Sequence, residues 1–229
     1  MLTLGVDTAT WTASVGLVRD GEIVAEKSRY TTASHGEHLF ALVEAVLLEA
    51  GVTLSDVGVI AGSSGPGSFT GLRIGLSVVK GLAYAGGQKV VAVSTLEALA
   101  RSAEEREGLV CACLDARKHE VYTALFCCVG ERVDRLTPDM AIKPEGLPPM
   151  ISGRCLLIGE GAEVYREMIA RCLGEQVRFS RLVHPRGGVV AQMGWERFCR
   201  GEYDSPGTLA PVYVRTPAVK LPSTLSRPN

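Results

Sequence analysis

Two stretches of this chain open in the same way, and that repetition limits its architecture more than any single motif. TLGVDTAT reads as a strand ending at Asp7, and SVGLVRD and EIVAEKSRY then flank Asp20-Gly21, a strong two-residue hairpin signal. Laying Asp7 on Asp115 pairs Val6-Asp7 with Leu114-Asp115 and sets Leu17 on Leu125. It also brings the Asp20-Gly21 turn within one residue of Val129-Gly130. A repeated strand, aspartate and hairpin predicts two lobes of like construction. The expected division is an N-terminal lobe over residues 1–104 and a reduced C-terminal lobe over 105–229.

After the first hairpin, Ser34 and Glu37 have capping-box spacing and open a helix to about Ala50, with Gly51 as its stop. VGVIAGSS is a buried strand, GPGSFTG a loop, and LRIGLSVVKGLAYA a second helix ending at Gly86-Gly87. KVVAVS is a further strand, and Ser94 with Glu97 caps a third helix through about Ser102. The order β-β-β-α-β-α-β-α is that of an α/β lobe with a mixed sheet. In the second half, TPDMAIKPEGLPPM reads as a proline-rich loop and CLLIG as a strand. A helix is predicted from Glu163 to Leu173, with Val164, Met168, Ile169 and Cys172 on one face. Another spans about Val189 to Arg200, before a turn-rich tail containing PVYVRTP. Two lobes that both begin this way resemble the actin-like ATPase fold: α/β, ribonuclease H-like and duplicated, with mixed sheets flanked by helices.

Composition removes several classes. The net charge of −1 gives no field for a polyanion, so nucleic acid contact must come from a local patch or a partner. No apolar run approaches the roughly 18 residues that a membrane span needs. MLTLGVDTAT has no basic segment and carries Asp7 early, against a signal peptide. The seven cysteines form no CxxC, so buried reduced thiols in a cytoplasmic protein are expected.

Candidate chemistry is sparse. Asp7, Thr8 and Thr10 sit where an actin-like phosphate loop belongs, although short polar residues at strand ends also cap turns. Gly65, Gly67, Ser68 and Thr70 add a glycine turn at a helix N-terminus, where anions can bind. No Lys-Ser or Lys-Thr pair follows those glycines, so this is not a Walker loop. In the second half, Asp115-Ala-Arg-Lys offers bulk where a phosphate loop offers glycine and hydroxyls, and Gly159-Glu-Gly161 is a weak adenosine signal. His35, His38, His119 and His184 form no HExxH, and GPGSFTG is not a GxSxG elbow. No metal and no catalytic residue is expected.

The two helices beside the glycine loop carry more. On the first, Leu39, Leu42, Val43, Val46, Leu47 and Ala50 form one broad stripe. On the second, Leu72, Leu76, Val79 and Ala83 face Ile74, Val78 and Leu82, with only Arg73, Ser77, Lys80 and Tyr84 as a polar ridge. Helices this apolar need cover on more than one side. Gly71 and Gly75 suggest close approach of another helix. The expected partner surface is Leu39, Leu42, Val46, Leu72, Arg73, Leu76, Val79 and Lys80. The bland alternative is that the two helices cover each other.

With these residues in hand, the chain resembles the TsaB family, relatives of TsaD. The resemblance rests on LGVDTAT, ASVGLV, SHGEHL, GPGSFTGLRIGLSVVKGLA, VSTLEALA, LDARKHEVYTALF and PVYVR, and covers most of the length. It implies a two-lobed actin-like fold without a working catalytic site. It implies a dimerisation subunit for TsaD in making threonylcarbamoyladenosine on tRNA, with a TsaE-like ATPase joining the assembly. Docking to TsaD, or to a second copy when alone, is expected through the two first-lobe helices, with tRNA reached only indirectly. No cofactor is expected beyond a weak or interface-bound ATP or ADP. The alternatives are a stand-alone ATPase or kinase using Asp7 and the Gly65–Thr70 loop, and a glycoprotease-type metallopeptidase.

Overall fold

The computed structural model describes residues 1–31, 36–104, 106–182 and 184–215. Its chain forms two sheets built on one plan. In the first lobe, β1 (Leu2–Asp7), β2 (Thr12–Arg19) and β3 (Glu22–Tyr30) form an antiparallel meander. After α1 (Gly36–Glu49), β4 (Val57–Gly65) adds parallel to β1. After α2 (Phe69–Gly86), β5 (Lys89–Ser94) adds parallel to β4, giving the order β3-β2-β1-β4-β5. A short α3 (Thr95–Arg101) leads to the second lobe.

There β6 (Gly108–Arg117), β7 (Glu120–Val129) and β8 (Arg132–Arg135) repeat the meander. β9 (Met140–Ile142) pairs with β7, and β10 (Cys155–Ile158) runs parallel to β6. Then come α4 (Glu160–Val164), α5 (Arg166–Leu173), β11 (Val177–Phe179) and α6 (Gly187–Cys199). The sheet order β11-β10-β6-β7-β8 is the first order read from its other end, so the duplication seen in the sequence is a duplication of topology. The reduction is equally visible. Where the first lobe places α1, the second has only β9 and two single 3-10 turns, at Pro144–Gly146 and Pro148–Met150.

Helices α3 and α6 exchange lobes. Leu96, Leu99 and Ala100 of α3 join the core of the second sheet, with Val110, Ala112 and Phe126. Val189, Val190 and Met193 of α6 pack on Val59, Ala61, Val91 and Val93 of the first. The range 105–229 expected for the second lobe therefore includes a helix that covers the first sheet. Two glycines make that contact close. Gly16 on β2 and Gly187 on α6 face each other, and a Cβ added at Gly187 would lie 2.5 Å from the Val15 carbonyl carbon. After α6 the chain continues along the first lobe. Asp204 bridges the open edge of β5 at Val90, and Leu209 is buried in the first core. An edge covered in this way cannot pair with another chain.

Two sequence expectations shift. The helix predicted from Glu163 to Leu173 is two helices meeting at Tyr165, with Val164 and Cys172 exposed and Ile169 buried. The capping box expected at the start of α1 rests on Ser34, outside the described residues. Among the described residues no helix is long and apolar enough to cross a membrane.

Candidate functional site

The GPGSFTG loop leaves β4 at Gly65 and enters α2 at Phe69, with Ser68 as N-cap. Ser68 Oγ accepts from the Gly71 N–H at 3.2 Å and so satisfies one first-turn amide. The adjacent Thr8–Ala9 turn explains the glycines. Ser68 N–H donates to the Ala9 carbonyl at 2.8 Å, and Thr8 Oγ1 donates to the Gly71 carbonyl at 2.8 Å. A Cβ at Gly67 would lie 2.7 Å from the Ala9 Cβ. One at Gly71 would collide with the Thr8 carbonyl oxygen, and one at Gly75 with the Thr8 hydroxyl. Gly71 and Gly75 were expected to admit a helix of another molecule. Thr8 of the same chain occupies that place instead. Gly65, at φ 133°, is met by the Val212 carbonyl oxygen of the C-terminal segment.

Above this loop lies a cleft of about 430 Å³ between the lobes. Thr10, Trp11, Gly67, Ser68 and Thr70 form one wall; Asp115, Arg117, Tyr122 and Glu160 form the other. Arg117, Lys118 and His119 all take positive φ, near 61°, 54° and 59°, although none is glycine. That tight turn folds Arg117 back, so that its guanidinium pairs with Asp115 at 2.9 Å and lies 5.1 Å over the Trp11 ring. Of the candidate phosphate residues, Thr10, Gly67, Ser68 and Thr70 line the cleft, whereas Asp7, Thr8 and Gly65 do not.

The lining offers a triphosphate few free donors. The Thr8 hydroxyl and the Ser68 N–H donate within the chain, Ser68 Oγ accepts from the Gly71 N–H, and Thr10 Oγ1 is turned onto the backbone of Thr12. The facing wall presents two carboxylates, Asp115 and Glu160, and its cation is already paired. Burial lifts Glu160 to about 7, with Asp115 and Asp7 adding to the rise and Arg117 opposing it. Among the described residues, no group of three His, Cys, Asp or Glu side chains could hold a metal ion.

Asp7 is fully buried under the Thr8–Ala9 turn. Its Oδ1 accepts from the Ala9 N–H at 3.2 Å, while its Oδ2 and the neighbouring Ser63 hydroxyl close no well-formed hydrogen bond. Loss of water lifts its pKa from 3.8 to about 7, against the smaller pull of Ser63 and the Ala9 amide. The folded state therefore holds this proton more tightly than the unfolded chain does. Stability from Asp7 is greatest below about pH 4, falls as the pH rises toward 7, and levels off above that. Asp7→Asn keeps the shape and removes the charge. Urea titration at pH 8 is expected to find it more stable than the native chain, by on the order of 3 kcal/mol, with the gain vanishing near pH 4.

The outer faces of α1 and α2 form the second feature. Of the expected partner surface, Leu39, Val46, Leu72, Leu76 and Val79 are buried in this chain's own core, which corrects their assignment as contacts. Leu42 and Lys80 are half-buried, and Arg73 is exposed. The helices nevertheless leave large apolar groups outside. Phe40 is 56% exposed and Leu48 78% on α1, and Phe69 and Tyr84, 41% and 69% exposed, stand at opposite ends of α2.

Known proteins resemble the chain over nearly its whole length. The tRNA threonylcarbamoyladenosine biosynthesis protein TsaB of Bacillus subtilis (strain 168) is 28% identical, over 94% of each chain. The protein of the same name from Escherichia coli (strain K12) is 29% identical, over 94% of this chain and 95% of its own. The chain belongs to the TsaB family. It also falls within the wider TsaD family, described as tRNA N6-adenosine threonylcarbamoyltransferase, whose model matches residues 23–185. A Pseudomonas aeruginosa crystal structure, of a protein similar to peptidase YeaZ, superposes with a TM-score of 0.82 at 30% identity. That match covers 93% of this chain and 99% of the other. The fold of this TsaB-family chain is the duplicated, two-lobed actin-like α/β fold that its sequence implied.

Sequence reasoning missed Trp11, Arg117, Tyr122 and Glu160 as cleft residues, and Tyr213 and Arg215 as ties between elements. The stretches LDARKHEVY and PVYVR, which carry part of the TsaB resemblance, contain four of them.

Proposed function

We propose that this chain is a non-catalytic dimerisation and scaffold subunit of the assembly that forms threonylcarbamoyladenosine on tRNA, where it supports a TsaD-type threonylcarbamoyltransferase. The names of its relatives support the pathway. The observation that carries the subunit role is the outer face of α1 and α2, where Phe40, Leu48 and Tyr84 stand in water on helices whose other faces are already buried. Large aromatic and aliphatic groups left in water on helices that are otherwise packed are what a protein interaction surface offers. In this reading the face takes a TsaD-type paralogue, or a second copy when the chain is alone. A TsaE-like ATPase joins the assembled pair, and tRNA is met through the partner. The chain has no resident cofactor, and ATP or ADP binds at most weakly or at the joint. Nothing in the cleft favours a stand-alone ATPase, and among the described residues no side-chain group favours a peptidase.

Leu48→Glu tests the reading directly. Leu48 touches little of its own chain, so the variant is expected to melt within a few degrees of the native protein. Its affinity for the TsaD-type paralogue, measured by calorimetry, is expected to fall at least about thirtyfold. Native-like affinity in the variant would sink the assignment of this face.

A further inference from the structure

The last described residues of the chain return to the start of α2. Val212 N–H donates to the Ser64 carbonyl at 2.7 Å, which fixes the segment along the glycine loop. Tyr213 then stacks on Phe69, with ring centroids 5.2 Å apart. The Arg73 guanidinium lies 4.0 Å over the other aromatic partner, Phe69, and its Nε–H donates to the Tyr213 hydroxyl at 3.1 Å. Two residues on, Arg215 pairs with Glu120 on β7 and reaches the Ala116 carbonyl at 3.4 Å. The strap therefore ties the second lobe to the first turn of α2, one of the two helices proposed to dock a partner.

An exposed arginine usually samples many rotamers, and ordering it opposes binding. Arg73 is ordered in advance. Its plane is held by the Phe69 ring and its Nε by Tyr213, while its two terminal amino groups meet no partner among the described residues. Those two groups are the half of the fork that grips a carboxylate with parallel hydrogen bonds. α2 itself supplies no competitor: FTGLRIGLSVVKGLAYAG holds Arg73 and Lys80 and no acidic residue. Phe69 under the guanidinium and Val212 next to Tyr213 are both exposed apolar groups.

The geometry points to Arg73 as a preorganised receptor for a carboxylate side chain on the docked TsaD-type paralogue, its fork aimed by Tyr213 of the C-terminal strap. This rests on the docking reading above. A protein carboxylate is favoured over a nucleic acid phosphate because the guanidinium lies on the exposed Phe69 ring, on a chain with net charge −1.

Calorimetry with the purified paralogue tests it, using Arg73→Lys, which keeps the charge and loses the fork, and Tyr213→Phe, which keeps the ring and frees Nε. Both side chains are at the surface, and thermal melting of each variant alone checks the fold. Arg73→Lys is expected to weaken binding about tenfold and Tyr213→Phe about fivefold. If both bind within twofold of native while Leu48→Glu fails, the receptor is wrong and the docking face survives. If Leu48→Glu also binds normally, the docking face itself is wrong. If Arg73→Lys weakens binding to tRNA alone and leaves the paralogue untouched, the fork serves phosphate and the proposal is overturned.

Discussion

Leu72→Glu is expected to unfold the protein, not to detach a partner. Leu72 is 1% exposed and lies on the face of α2 that is turned into the chain. A glutamate there removes a packed side chain and leaves a carboxylate with no cation to meet. Losses of this kind exceed about 4 kcal/mol, a large share of the roughly 5–15 kcal/mol that holds a domain together. Circular dichroism is expected to show a lost or strongly lowered thermal transition. Retention of a native-like melt would mean that Leu72 is not a core residue. The contrast with Leu48→Glu on the neighbouring helix is the useful part. One helix pair carries both a face that builds the fold and a face free to dock, and only the second variant reports on docking.

Hydrophobic periodicity made the helices legible and left their faces ambiguous. At about 100° per residue, α2 shows apolar groups nearly all round, and nothing in that pattern says which side meets the chain's own sheet. The structure resolves it through the Thr8–Ala9 turn, a contact between residues far apart in sequence. The same long-range contact explains why the glycines of GPGSFTGLRIG admitted two readings, a phosphate turn and the close approach of a partner. Each use needs absent side chains, and only the neighbour distinguishes them. The sheets were far easier to read, because Asp7 at the end of β1 and Asp115 two residues before the end of β6 both lead into a hairpin. What the second lobe lost could not be read in this way. Proline-rich TPDMAIKPEGLPPM looked like a plain loop, yet it folds β9 against β7 and buries Leu147. Three-residue strands such as β9 and β11 are too short to show a period. The cleft residues Trp11 and Glu160 come from different lobes and have no shared local signal.

Gly16→Val is expected to act at the other end of the architecture, by prising α6 off the first sheet. The added Cβ at Gly16 would fall on the backbone nitrogen of Gly188, and the opposing Gly187 lies as close to Val15. Backbone on both sides leaves no flexible side chain to yield. The Gly187 N–H also donates to Ser14 Oγ at 2.8 Å, and Gly188 N–H to Glu26 Oε1 at 2.8 Å, so a displaced helix breaks hydrogen bonds that anchor its first turn. Overpacking of this severity, with two buried amides left unsatisfied, is expected to destabilise by about 3–5 kcal/mol in urea titration. Hydrogen exchange separates the outcome from general loosening. Amides of α6 and β2 are expected to lose protection first, while those of β6 and β7 in the second lobe keep theirs. Because α6 is the helix that returns from the second repeat to cover the first, uniform loss across both sheets would instead mean that the two lobes fold as one unit, with α6 holding them together.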